Sequence, residues 1–138
     1  MNNNDRLLLR IRARYLCEYC LCPEDSNPDI FPADHVIPRA KGGIDDLVNR
    51  ALACWRCNGL KSNFTEAIDP ANGALVALYN PRIHNWADHF CWDKSFTLLL
   101  GISPTGRATV LKLQLNRPSV VKLRGILYKV GEHPTQIN

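Results

Sequence analysis

No stretch of this 138-residue chain approaches the roughly 20 consecutive apolar residues of a membrane-crossing helix, so a membrane-spanning protein is not expected. The start, MNNNDRLLLRIRARYLC, lacks the apolar core and small-residue cleavage site of a secretory leader, and a cytoplasmic protein is expected. There is neither an internal repeat nor a long linker, so the second half should pack on the first. The chain is too short for two unrelated enzymatic domains, since one domain commonly takes roughly 100 to 150 residues. Hydrophobic residues at 46% and charged residues at 22% are ordinary globular usage, which excludes extensive disorder beyond the Asn-rich start.

Acidic residues are absent from 105–130, where six basic ones stand. The overall charge of +4 is modest and unevenly spread, with +1 over residues 1–64 and +3 over 65–138. Arg107, Lys112, Arg117, Lys122, Arg124 and Lys129 are either a phosphate-facing surface or the solvated faces of two amphipathic helices.

Cysteine is present in an informative pattern. Cys17, Cys20, Cys54 and Cys57 form two Cys-x-x-Cys pairs with 33 residues between them. Each pair can point two thiolates at one ion, and two pairs complete a tetrahedral zinc site with no open position, so this Zn²⁺ would be structural. The rival readings, disulfides or redox cysteines, fit an intracellular chain less simply. Cys22 and Cys91 are left over as small buried hydrophobes.

Residues 5–16 read as an amphipathic helix with Arg6, Arg10 and Arg14 on one face. ADHVIP reads as a brief strand stopped by Pro38, KGG as a turn, Asp45 or Asp46 as the cap of a short helical turn through Asn49, and RALAC as a second strand. Residues 55–63 permit a helix carrying Cys57, Asn58 and Lys61. Further on, SFTLLLGI reads as a strand, and SPTGRATVLKLQLN and RPSVVKLRGILYKV as two short helices with Pro104 and Pro118 in their first turns. His84 and His89 are five apart, which does not place both on one helix face, so packing or surface roles are expected.

CEYC followed by ADHVIPRAKGGIDDLVNRALACWRCNGLKSN resembles the HNH endonucleases over about residues 10–64. NPRIHNW, SPTGRAT and LQLNRP in the closing segment resemble the tail of small stand-alone bacterial HNH proteins, cyanobacterial ones especially. The resemblance implies an α+β fold: a ββα-metal core stapled by a four-cysteine zinc over residues 1–64, with an N-terminal helix, and a mixed strand and helix extension over 65–138. It implies that His35 is the general base, that Asp34 binds a catalytic metal, and that Asn49 holds the loop bearing the base. Asn58 stands where many members carry their last histidine, so the chain reads His-Asn-Asn. An Asp34 and Asn58 pair offers only oxygen, which suits Mg²⁺ or Mn²⁺.

The expected reaction is hydrolysis of phosphodiester bonds in nucleic acid, with double-stranded DNA as the first choice of partner and weak sequence preference. Arg39, Lys41, Lys61, Arg107, Arg117 and Arg124 are the candidate nucleic-acid contacts, and Lys61, one turn after Asn58, faces either the same phosphate or solvent. Two alternatives remain: a zinc-stapled module that binds without cutting, and an RNase using the same site.

Overall fold

The structure is a computed structural model in which residues 1–135 are described. The chain forms two compact units, Met1–Thr65 with Asn80–Arg82, and Glu66–Tyr79 with the chain from Ile83 onward. No helix among the described residues is long and apolar enough to cross a membrane.

The first unit begins with α1 (Asn3–Arg12), capped by the Asn2 side chain, which accepts from Asp5 N at 2.8 Å. The expected continuation to residue 16 does not occur. Arg14 and Tyr15 adopt φ of 57° and 58°, a left-handed conformation that stops a helix. The chain then enters the first cysteine knuckle, where Leu16 bridges Pro23. The arginines nevertheless anchor the helix: Arg10 Nε reaches Glu24 Oε1 at 2.9 Å, and Arg12 donates to the carbonyls of Leu47 and Arg50.

β1 (Ala33–His35) and β2 (Arg50–Leu52) pair antiparallel, with Asp34 opposite Ala51 and His35 opposite Arg50. The connection between them depends on its two glycines. Gly42 takes φ 87°, and a Cβ on Gly43 would lie 1.7 Å from the Ile37 carbonyl oxygen, so a larger residue would force the turn open. Asp46 caps the short 3₁₀ turn Leu47–Asn49 by accepting from Val48 N. α2 (Trp55–Lys61) follows β2 directly, so the order is strand, loop, strand, helix. Leu9, Leu16, Tyr19, Phe31, Val36, Ala51 and Leu52 are buried beneath these elements together with the four paired cysteines.

The second unit contains two antiparallel hairpins, β3 (Glu66–Ile68) with β4 (Leu75–Ala77), and β5 (Phe90–Trp92) with β6 (Leu99–Gly101). The sequence pattern marked only the segment containing β6. α3 (Pro104–Lys112) and α4 (Pro118–Lys129) both start on proline, as expected. Leu78, Tyr79, Phe90, Leu99, Ala108, Leu113, Leu115, Val120 and Leu127 form the core of this unit.

Candidate active site and zinc centre

The four paired cysteines meet at one buried point. Their sulfurs all lie within 4.8 Å of one another, and Cys20 Sγ is 3.8 Å from Cys54 Sγ. Four thiolates around one zinc, each at about 2.3 Å, require sulfur separations of about 3.8 Å, so the donor set and its size both fit a structural Zn²⁺. The two knuckles repeat one local geometry: Cys20 N donates to Cys17 Sγ and Cys57 N to Cys54 Sγ, each at 3.4 Å. Leu21 takes φ 66° as the first knuckle turns, and Cys54 also serves as the N-cap of α2.

Glu18, inside the first knuckle, ties the zinc centre to the hairpin. Its N–H donates to the Leu52 carbonyl, its carboxylate accepts from Leu52 N, and Arg82 pairs with its other oxygen. Burial raises the Glu18 carboxyl, and Arg82 opposes that shift. Cys22 is buried with its sulfur 3.2 Å from that of Cys20, while Cys91 is only half-buried.

Asp34, His35 and Asn58 all line one cleft of about 420 Å³, together with Ala33, Pro38, Arg39 and Ser62. The hairpin brings the first two there and the first turns of α2 bring the third. Asp34 is 6% exposed, and its Oδ2 takes both the Tyr19 hydroxyl at 2.9 Å and Lys61 Nζ at 3.1 Å. Burial raises the Asp34 carboxyl, and the Lys61 ammonium opposes that. Burial, then the charge of Asp34, raises the Tyr19 phenol far up, so Tyr19 remains the donor.

Lys61 takes neither of the two places expected for it. It is 1% exposed, and besides Asp34 its ammonium donates to the His35 carbonyl at 3.2 Å. Its position one turn after Asn58 puts it on the inner face of α2, which no sequence pattern distinguishes from the outer one over seven residues. Lys61→Met should therefore destabilise the first unit by about 3–5 kcal/mol, because it strands a buried carboxylate without its counterion. Denaturant unfolding of the zinc-loaded protein measures this, and a loss under about 1 kcal/mol, the worth of an exposed pair, would contradict the buried ion pair.

Asn49 is 7% exposed and clamps the loop after β1. Its Oδ1 accepts from Ile37 N at 2.9 Å, and its Nδ2 donates to the carbonyls of Ile37 and Ile44 at 2.9 and 2.8 Å. Asp45, expected as one of two alternative turn caps, instead accepts from His35 Nε2 at 3.2 Å and pairs with Arg50. Tyr19 and Arg50 were not singled out in the sequence, and Asp45 was read there only as a turn cap. The hairpin register sets Arg50 against His35, and the connection between the strands brings Asp45 to the histidine.

The other basic residues divide. Arg39 and Lys41 are exposed, with Arg39 on the cleft. Arg124 is 2% exposed and donates to the carbonyls of Thr97 and Leu115 and to Asn116, with its guanidinium over Trp92, so it is part of the second unit's core. Arg107 grips the buried Asp69 with two hydrogen bonds, and Arg117 donates to the carbonyls of Leu113 and Gln114 at the end of α3. Lys122 and Lys129 are exposed. His84 and His89 lie with ring centroids 5.0 Å apart beside Tyr79, and His89 Nδ1 is 2.6 Å from Ser103 Oγ, a packing arrangement.

A two-stranded hairpin runs into a helix, four cysteines staple the two ends of this segment, and a cleft opens onto an adjacent aspartate and histidine, which together make a zinc-stapled ββα arrangement. The HNH endonuclease family model matches residues 17–64, the segment that carries the hairpin, α2 and the four paired cysteines. No curated protein and no solved structure matches the chain.

Proposed function

We propose that residues 17–64 form an HNH domain that hydrolyses phosphodiester bonds of nucleic acid, with double-stranded DNA as the substrate, using His35 as general base and a divalent metal held by Asp34 and Asn58. The observation that carries this reading is the convergence of those three side chains on one polar cleft. When bound there, the metal would neutralise charge on the phosphate and on the departing oxygen.

The imidazole of His35 would take a proton from the attacking water as the water oxygen bonds to phosphorus and the bond to the leaving sugar oxygen breaks. Asp34 offers Oδ1, its Oδ2 being occupied by Tyr19 and Lys61, so the carboxylate is held in one orientation. Asn49 fixes the loop behind the base. Arg39 at the cleft and Lys41 beside it would contact phosphates, giving salt-sensitive binding that carries little sequence information.

Two observations favour the rival reading of a module that binds without cutting: Asn58 replaces the family's last histidine, and Lys61 already neutralises Asp34. Supercoiled plasmid and a structured RNA, each incubated with the zinc-loaded protein in Mg²⁺, Mn²⁺, Ni²⁺ or EDTA, separate the readings. Nicking of plasmid in Mg²⁺, weaker in Ni²⁺ and abolished by EDTA, is expected, since an all-oxygen pair prefers hard ions. Rates in Ni²⁺ equal to those in Mg²⁺ would remove the ligand assignment. RNA cleavage alone would move the substrate to RNA, and salt-sensitive retention of DNA with no cleavage in any metal would leave a binder.

A further inference from the structure

Two aspartates stand together in the connection between β1 and β2, and only Asp46 caps the turn that follows. Asp45 turns the other way. Its Oδ1 meets His35 Nε2 at 3.2 Å and also receives the Arg50 guanidinium. Arg50 is held in turn: its side chain is only 11% exposed, and its Nη1 donates to the Ala33 carbonyl at 2.8 Å, one strand away. The carboxylate of Asp45 is thus fixed by a largely covered guanidinium that is itself tied to β1, and the imidazole of the cross-strand residue rests on it. Hydrogen bonding to Arg50 first, then to His35, holds the Asp45 carboxyl below its usual range, so it remains an acceptor.

An imidazole presents two nitrogens, and the hydrogen bond made by one decides what the other can do. We infer that Asp45, pinned by Arg50, is the positioning residue for His35, accepting from Nε2–H and leaving Nδ1 as the ring atom offered to the cleft. This inference rests on the reading of His35 as the base. It differs from an ordinary surface ion pair, which would contribute little to stability and nothing to the ring's orientation.

The test uses the zinc-loaded full chain with ¹⁵N-labelled histidine, as wild type, Asp45→Ala, Asp45→Asn and His35→Ala, with zinc content measured for each. Imidazole ¹⁵N spectra should carry a His35 Nε2 proton protected from solvent exchange in wild type, partly retained in Asp45→Asn and lost in Asp45→Ala. Plasmid nicking should fall about 10–100-fold in Asp45→Ala, in kcat with KM unchanged, and recover in part in Asp45→Asn, the usual scale for losing a group that orients a site residue. An Nε2 proton equally protected in wild type and Asp45→Ala overturns the inference whatever the nicking assay gives. Full nicking by Asp45→Ala alongside an inactive His35→Ala also overturns it. If Nε2 responds as expected but His35→Ala nicks at the wild-type rate, the contact stands and the assignment of His35 as base is what fails.

Discussion

Removing zinc should unfold the first unit. A core drawn from about 65 residues is small, and domains of this size retain few kilocalories of net stability. A structural zinc on four thiolates contributes about 10–16 kcal/mol of apparent binding free energy, and because no preformed site exists in the unfolded chain, that energy is folding energy. Here the cysteines come from both sides of the hairpin, Cys17 and Cys20 ahead of it, Cys54 and Cys57 at the start of α2. Loss of the ion frees α2 from the first knuckle and leaves four buried sulfurs facing one another. Treatment with a strong chelator, or Cys54→Ser, is expected to abolish the dispersed amide signals of residues 15–61, and readdition of zinc to restore them in the wild type only. Metal analysis should return one zinc per chain. A chelated protein that still unfolds cooperatively from an intact first unit would remove the structural role of the centre.

His35→Ala should have the opposite profile, with little effect on folding and a large one on reaction. The side chain is 27% exposed and hydrogen-bonds to the exposed Asp45, so its removal should open little space in the core. A general base commonly accounts for a factor of about 10²–10⁴ in rate, and plasmid nicking by the variant should fall by that much while zinc content and unfolding midpoint stay at wild-type values. The contrast with Lys61→Met is informative. Lys61 is more deeply buried than the His35 side chain, so its loss should register first in stability. Nicking by His35→Ala within twofold of wild type would leave the cleft without its proposed base.

Much of the zinc centre and of the ββα order was legible in the chain because the signals are local. Spacing in Cys-x-x-Cys creates a knuckle whatever surrounds it, Gly42 and Gly43 dictate the turn, and Pro104 and Pro118 start the last two helices. The end of α1 was not legible, because Arg14 and Tyr15 carry no breaker chemistry and take positive φ only as the chain enters the knuckle. The β3 and β4 hairpin was equally silent: EAI and LVA are three residues each, too short to establish a period.

Charge was the least readable feature. Arg124 and Lys61 look in sequence like any solvated cations, yet each is buried where several acceptors converge, and Arg107 is matched to an aspartate 38 residues away. A long cationic side chain is placed by whichever acceptor the fold brings within reach, and that depends on contacts between segments far apart in the chain. The amino-acid sequence by itself determined the four zinc ligands, the strand, strand, helix order and the adjacency of Asp34 and His35, because covalent spacing carries each of them. The tertiary structure decided that Oδ2 of Asp34 is taken by Tyr19 and Lys61, that Asn58 shares its cleft, and that Asp45 and Arg50 close on His35. Those relations follow from strand register and from which face of α2 turns inward.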